Sequence, residues 1–143
     1  MQRRRIDVLL VEDEPHVLMA MCAVFREEGY AVRAFARPDT ALPIIVRERP
    51  TLVITDEDMP GMAGHELADR VRAQLGPRTP RLLLVTGANV PRAIVREFDA
   101  VLYKPFRLDD LLQQARRLGL RHSRSGMRLR AATATSDDEA GTG

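Results

Sequence analysis

The chain has 143 residues, 45% of them hydrophobic, and a formal net charge of +2 at pH 7. That is enough apolar material for one full core, and too little net charge to steer the molecule to nucleic acid or to a membrane surface. Cys22 is the only cysteine, which excludes an intramolecular disulfide and a cysteine-based metal site.

The start, Met1-Gln2-Arg3-Arg4-Arg5, is basic, and the apolar run behind it is short, contains Asp7 and ends in Glu12-Asp13-Glu14. It lacks the form of a signal peptide, and no stretch reaches the roughly 18–20 apolar residues of a spanning helix. A soluble, cytoplasmic protein is expected. Residues 6–11 are branched and apolar and predict a buried strand. Pro15 suits the first turn of a helix, with Val17, Leu18, Met21, Cys22 and Phe25 at helical spacing and Gly29 as the stop. Residues 31–35 predict a second strand. A helix over 38–48 follows, in which Pro43 removes a backbone donor and should shorten or kink it. Residues 51–55 predict a third strand, and Met59-Pro60-Gly61-Met62-Ala63-Gly64 is a loop of turn residues. The spacing of Leu67, Val71 and Leu75 predicts a helix over 65–75. A fourth strand over 82–85, a short helix over 91–97, a fifth strand over 100–103 and a last helix over 108–118 complete the series.

Strands alternating with helices predict a parallel sheet covered on both faces, with right-handed crossovers. Residues 4–120 read as one such domain. Residues 121–143 carry only Met127 and Leu129 as large apolar residues, are basic first and acidic last, and predict a disordered tail. The tail's arginines lack interleaved aromatics, so nucleic acid is not the expected partner, and neither is a membrane.

In a doubly wound sheet, ligands bind beyond the carboxyl ends of the strands. Here the first strand runs into Glu12-Asp13, the third into Asp56-Glu57-Asp58, the fourth into Thr86 and the fifth into Lys104. In the flavodoxin-like order 2-1-3-4-5 the first and third strands are neighbours, about 4.8 Å apart. Glu12, Asp13 and Asp56 would then crowd one pocket, with Thr86 and Lys104 on its other side. Two carboxylates about 5 Å apart repel by roughly 3 kcal/mol at an effective dielectric near 20. Three of them call for a cation or a shared proton, and a hard divalent ion such as Mg²⁺ suits oxygen ligands. Of the 22 Lys and Arg residues only Lys104 is a lysine, a compact charge suited to a single phosphoryl contact. A free carboxylate, a metal, a hydroxyl and an ammonium together point to phosphoryl transfer, with Asp56 as the nucleophile that forms an acyl phosphate.

The chain resembles the receiver domain of bacterial two-component response regulators over roughly Arg4 to Leu120. The resemblance rests on Val8-Leu9-Leu10-Val11-Glu12-Asp13-Glu14-Pro15, on Thr55-Asp56-Glu57-Asp58-Met59-Pro60-Gly61-Met62-Ala63-Gly64, on Val85-Thr86-Gly87-Ala88 and on Lys104-Pro105-Phe106. It implies that Asp56 accepts a phosphoryl group from a sensor histidine kinase or histidine phosphotransfer protein. It also implies that Asp13, Asp56 and the backbone carbonyl of Asp58 hold Mg²⁺, with Glu12 as the second acidic position. Thr86 and Lys104 would sense the phosphoryl group and repack the fourth helix, fifth strand and fifth helix toward a downstream protein target. Such a protein is a phosphoacceptor that assists its own phosphorylation and dephosphorylation rather than an enzyme.

Two departures concern that output face. The family's aromatic three residues before the lysine is here Val101, and the aromatic is Tyr103. The stretch from Thr86 to Lys104 is short, so the fourth helix should be stunted. Asp58, two residues past the acceptor, is placed to influence how long an acyl phosphate lasts. His65 is expected to face solvent and His16 to border the site. Two other readings are a receiver-like adaptor that works without phosphate and a haloacid-dehalogenase-like phosphatase using Asp56 and Asp58. The latter leaves Glu12-Asp13 unexplained.

Overall fold

The computed structural model describes residues 5–87 and 89–121, so the expectations for Arg4, Ala88 and the tail over 122–143 lie outside the described residues. Five parallel strands, β1 (Val8–Val11), β2 (Val32–Phe35), β3 (Leu52–Thr55), β4 (Arg81–Thr86) and β5 (Ala100–Tyr103), form one sheet in the order β2-β1-β3-β4-β5. Helices α1 (Pro15–Glu27), α2 (Pro38–Glu48), α3 (Gly64–Leu75), α4 (Arg92–Val95) and α5 (Leu108–Arg117) fill the crossovers. The order matches the flavodoxin-like arrangement taken for the sequence, with helices on both faces of the sheet.

Alternation along each strand divides the core into two layers. Val8, Leu10, Leu52, Ile54, Leu83 and Val85 face α1 and α5, where Met21, Cys22, Phe25, Leu111 and Ala115 meet them. Leu9, Val11, Val53, Leu82 and Leu84 face the other way, onto Ala41, Ile45, Leu67 and Val71 of α2 and α3. Both faces are therefore covered, and all residues of β1 and β3 are buried. Each Leu or Ile so buried contributes roughly 2 kcal/mol, which is why short strands suffice. No helix among the described residues is long and apolar enough to cross a membrane.

Several local details differ from expectation. Asp7 precedes β1 rather than joining it, and its Oδ2 accepts the Ala31 backbone N–H at 2.7 Å. Helix α2 runs its full predicted length despite Pro43. The donor lost at Pro43 would have served the carbonyl of Asp39, an exposed first-turn residue that water can reach, so the helix continues past it. Helix α4 is stunted to four residues, as the short spacing predicts, and Phe98 behind it anchors the segment in the second core layer.

Arg49, which caps the C-terminus of α2, is the one non-glycine residue with positive φ among the described residues (φ 47°, ψ 69°). A side chain costs about 1 kcal/mol in that region, where glycine is at ease. Arg49→Gly should therefore raise stability by about 0.5 kcal/mol after the extra unfolded-state freedom of glycine is deducted. A thermal melt of the two proteins checks this; a lower melting temperature for the variant contradicts it.

Candidate functional site

The register brings the strand exits to one rim: Val11 pairs with Thr55, Thr55 with Leu84, and Thr86 with Tyr103. The ladder continues one residue further, with Glu12 N–H on Phe35 O at 3.0 Å, Asp56 N–H on Val11 O at 3.1 Å and Lys104 N–H on Thr86 O at 2.9 Å. Glu12, Asp56 and Lys104 are thus fixed by backbone bonds to buried strands before any side-chain contact forms. The peptide bond that follows, Lys104–Pro105, is cis.

Carboxylate oxygens of Glu12, Asp13 and Asp56 lie within 4.8 Å of one another, with Glu12 and Asp56 buried and Asp13 exposed. Lys104 enters from the opposite side. Its Nζ donates to Glu12 Oε2 at 2.9 Å and to Asp56 Oδ2 at 3.0 Å, and its side chain is only 24% exposed. Glu12 Oε1 accepts the Glu14 N–H at 3.2 Å. Burial pushes the Glu12 carboxyl above its usual range, against the hydrogen bond from Lys104, and Asp56 adds to the rise. Burial works against the Lys104 charge, but hydrogen bonds to Glu12 and Asp56 outweigh it and raise its pKa. With every carboxylate ionised, three negative charges face one ammonium. The donor set is all oxygen and falls two positive charges short of neutrality, which fits a hard divalent cation.

Asp56 is held at its other oxygen, Oδ1, by the Glu57 N–H at 2.7 Å, with the Asp58 N–H more distant at 3.4 Å. Its backbone carbonyl accepts the Thr55 hydroxyl at 2.9 Å. Gly64 closes the loop from above: its N–H donates to Glu57 O at 3.0 Å, and a Cβ there would sit 2.2 Å from Asp56 O. No side chain fits at that approach.

The structure therefore brings together Glu12, Asp13, Asp56 and Lys104. Thr86 ends β4 fully buried, beside Lys104 in the ladder. Asp58 is exposed and its carboxylate is not among the clustered oxygens. His16 lines an apolar groove with Lys104, Pro105 and Phe106, at the border of the site as expected. His65 corrects the sequence reading. Instead of facing solvent it is half-buried, its Nδ1 2.6 Å from Glu57 Oε2, because Glu57 turns inward and requires a partner. Glu57 itself was not among the predicted site residues. The only signal in the sequence is an acid and a histidine flanking the turn-rich loop.

A CheY-like sheet carrying an acidic pocket bridged by one lysine at its strand exits defines a phosphoacceptor-type signalling module. The comparisons agree. A family profile described as "Response regulator receiver domain" matches residues 8–116. The response regulator protein FleR of Pseudomonas aeruginosa is 37% identical over 116 residues, which are 79% of this chain and 24% of FleR. Sporulation initiation phosphotransferase F of Bacillus subtilis is 31% identical over 108 residues, covering 73% of this chain and 86% of that protein. Among solved structures, the receiver domain of the sensor histidine kinase PA1611 from Pseudomonas aeruginosa, with a magnesium ion coordinated in its active-site cleft, superposes with a TM-score of 0.70 at 26% identity. That match covers 80% of this chain and 98% of the other. This chain belongs to the response regulator receiver family. Receivers are phosphoacceptors of two-component signalling rather than classical enzymes, and their partners are histidine kinases and phosphotransferases. The chain spans 24% to 52% of the length of several curated relatives, FleR among them.

Proposed function

We propose that this chain is a response regulator receiver working in the cytoplasm. Residues 4–120 form the receiver unit, with 121–143 as an appended tail. Asp56 takes a phosphoryl group from a sensor histidine kinase or a histidine phosphotransfer protein. The observation that carries the reading is the double hydrogen bond of the sole lysine to Glu12 and Asp56, with Asp13 beside them.

In the proposed reaction Asp56 Oδ2 attacks phosphorus, the P–N bond of the donor breaks, and the donor imidazole leaves with its electron pair and takes up a proton. An acyl phosphate is left on Asp56. Lys104 stands 3.0 Å from the attacking oxygen, so its ammonium is positioned to pair with a phosphoryl oxygen as charge develops there. Thr86, at the adjacent strand end, supplies a hydroxyl. Glu12, Asp13, Asp56 and the backbone carbonyl of Asp58 would hold Mg²⁺, which when bound offsets negative charge on the phosphoryl oxygens. The resulting change passes to α4, β5 and α5, and from there to a downstream protein. On that face Val101 packs into the core while Tyr103 stands 51% exposed. The usual aromatic position is thus filled by a partly buried aliphatic packed against the second core layer, and the exposed ring offers itself to a partner.

The test is incubation with a small acyl-phosphate donor and Mg²⁺ followed by intact mass. An adduct of about 80 Da, one phosphoryl group, is expected on the wild type and absent from Asp56→Asn. Turnover of a generic phosphate ester would instead indicate a phosphatase, and neither adduct nor turnover would leave a phosphate-independent adaptor.

A further inference from the structure

The strongest unexplained feature is the clamp on Glu57. This carboxylic side chain is only 8% exposed and sits one residue from Asp56. Its Oε1 accepts the His65 backbone N–H at 2.8 Å, and its Oε2 lies 2.6 Å from His65 Nδ1. Its backbone carbonyl accepts the Gly64 N–H. The first turn of α3 thus grips Glu57 at three points. Glu57 in turn grips the acceptor, since its N–H donates to Asp56 Oδ1 at 2.7 Å.

We infer that His65 is a positioning residue for phosphoryl acceptance, acting through Glu57 to hold Asp56 Oδ1 and so leave Oδ2 as the attacking oxygen. This rests on the phosphoacceptor reading above. The mechanical chain is short: imidazole to carboxylate, carboxylate to its own backbone, backbone N–H to the acceptor. A rotation of the Asp56 carboxylate would exchange its two oxygens, and a fixed Oδ1 bond prevents it. Misplacing a reacting atom by even an ångström slows a displacement steeply.

The groups facing His65 are all acidic. Glu57 lies in the loop after β3, Glu66 in α3, and Glu97 just past α4; together they raise the imidazole's pKa, the hydrogen bond with Glu57 most of all. Glu97 Oε2 is moreover the one buried side-chain polar atom without a hydrogen-bond partner among the described residues. The imidazolium is therefore the form the surroundings favour. Because the folded pKa lies above the free value of 6.5, the charge-assisted part of the grip is complete below pH 6.5 and fades as pH rises through the folded value.

The test is a double-mutant cycle on the full chain, reading the rate of phosphoryl incorporation from a small acyl-phosphate donor with Mg²⁺. His65→Leu should slow the wild type by about tenfold, the effect of losing one charged hydrogen bond, but by no more than about twofold in a Glu57→Gln background, where the partner carboxylate is already gone. His65→Gln, whose amide still donates, should retain most of the rate, and the ratio of wild-type to His65→Gln rates should fall as pH rises through the imidazole's pKa. An equal loss in both backgrounds, or a ratio flat with pH, would overturn the inference while leaving Asp56 as acceptor. A wild type that takes up no phosphoryl group would instead remove the parent reading. If His65→Leu fails to fold, the pH ratio of the glutamine variant decides alone.

Discussion

Lys104→Met should destabilise the metal-free protein by about 2 kcal/mol, and Mg²⁺ should return most of that loss. The ammonium is shared between Glu12 and Asp56, and removing it leaves two buried carboxylates facing each other with Asp13 alongside. Breaking a buried ion pair from one side costs about 3–5 kcal/mol. The lower figure applies here because Lys104 keeps partial contact with water and because Glu12, already pushed toward its neutral form, can take a proton. The variant should show the opposite pH response to an ordinary carboxylate site. Without the lysine, the hydrogen bond that holds Glu12 down is gone and its folded pKa rises further above 4.5. Proton uptake then favours the fold, so stability should increase as pH falls through that raised value and be complete below 4.5. Melting temperatures with and without Mg²⁺ at several pH values check this. Melting that is unchanged by the substitution would mean that the ammonium does not hold the two acids together.

Gly64→Ala should cost about 3 kcal/mol, at the upper end of small-to-large changes, and should also block phosphoryl uptake. The reason is not backbone conformation but space. The added methyl would lie 2.2 Å from Asp56 O and 3.0–3.1 Å from Asp56 C and Glu57 Cα, all main-chain atoms that no rotamer change can move. Relief requires pushing the whole Asp56 turn away from α3, which breaks the bond from Gly64 N–H to Glu57 O and displaces the carboxylate proposed as the nucleophile. On a domain of this size the loss corresponds to a fall of roughly 10–15 °C in melting temperature. Wild-type-like melting together with a normal rate of phosphoryl incorporation in the variant would show that the turn yields more easily than its contacts indicate.

Much of the molecule was legible in the sequence because its signals are local. Runs such as Val8-Leu9-Leu10-Val11 and Leu82-Leu83-Leu84-Val85 have no polar face, which only a strand covered on both sides explains. Once the strands were placed, the polar residues at their exits followed, and the distances among Glu12, Asp13, Asp56 and Lys104 match that reading. What stayed hidden depends on contacts between segments. Gly64 reads as one more turn residue until the Asp56 carbonyl is seen against its Cα. Glu57 reads as a solvated acid until the first turn of α3 folds back on it and brings His65 with it. Pro43 misled in the other direction, since the damage a proline does depends on whether the unserved carbonyl is buried, and Asp39 is an exposed residue.

The near-absence of lysine has a practical corollary. Apart from the chain's α-amino group, the only primary amine on the whole polypeptide sits inside the acidic pocket, engaged by two carboxylates. An amine-acylating reagent thus has one internal target, and its rate of attack depends on how tightly that amine is held. The pocket carries its own chemical reporter, readable by mass without introducing a label.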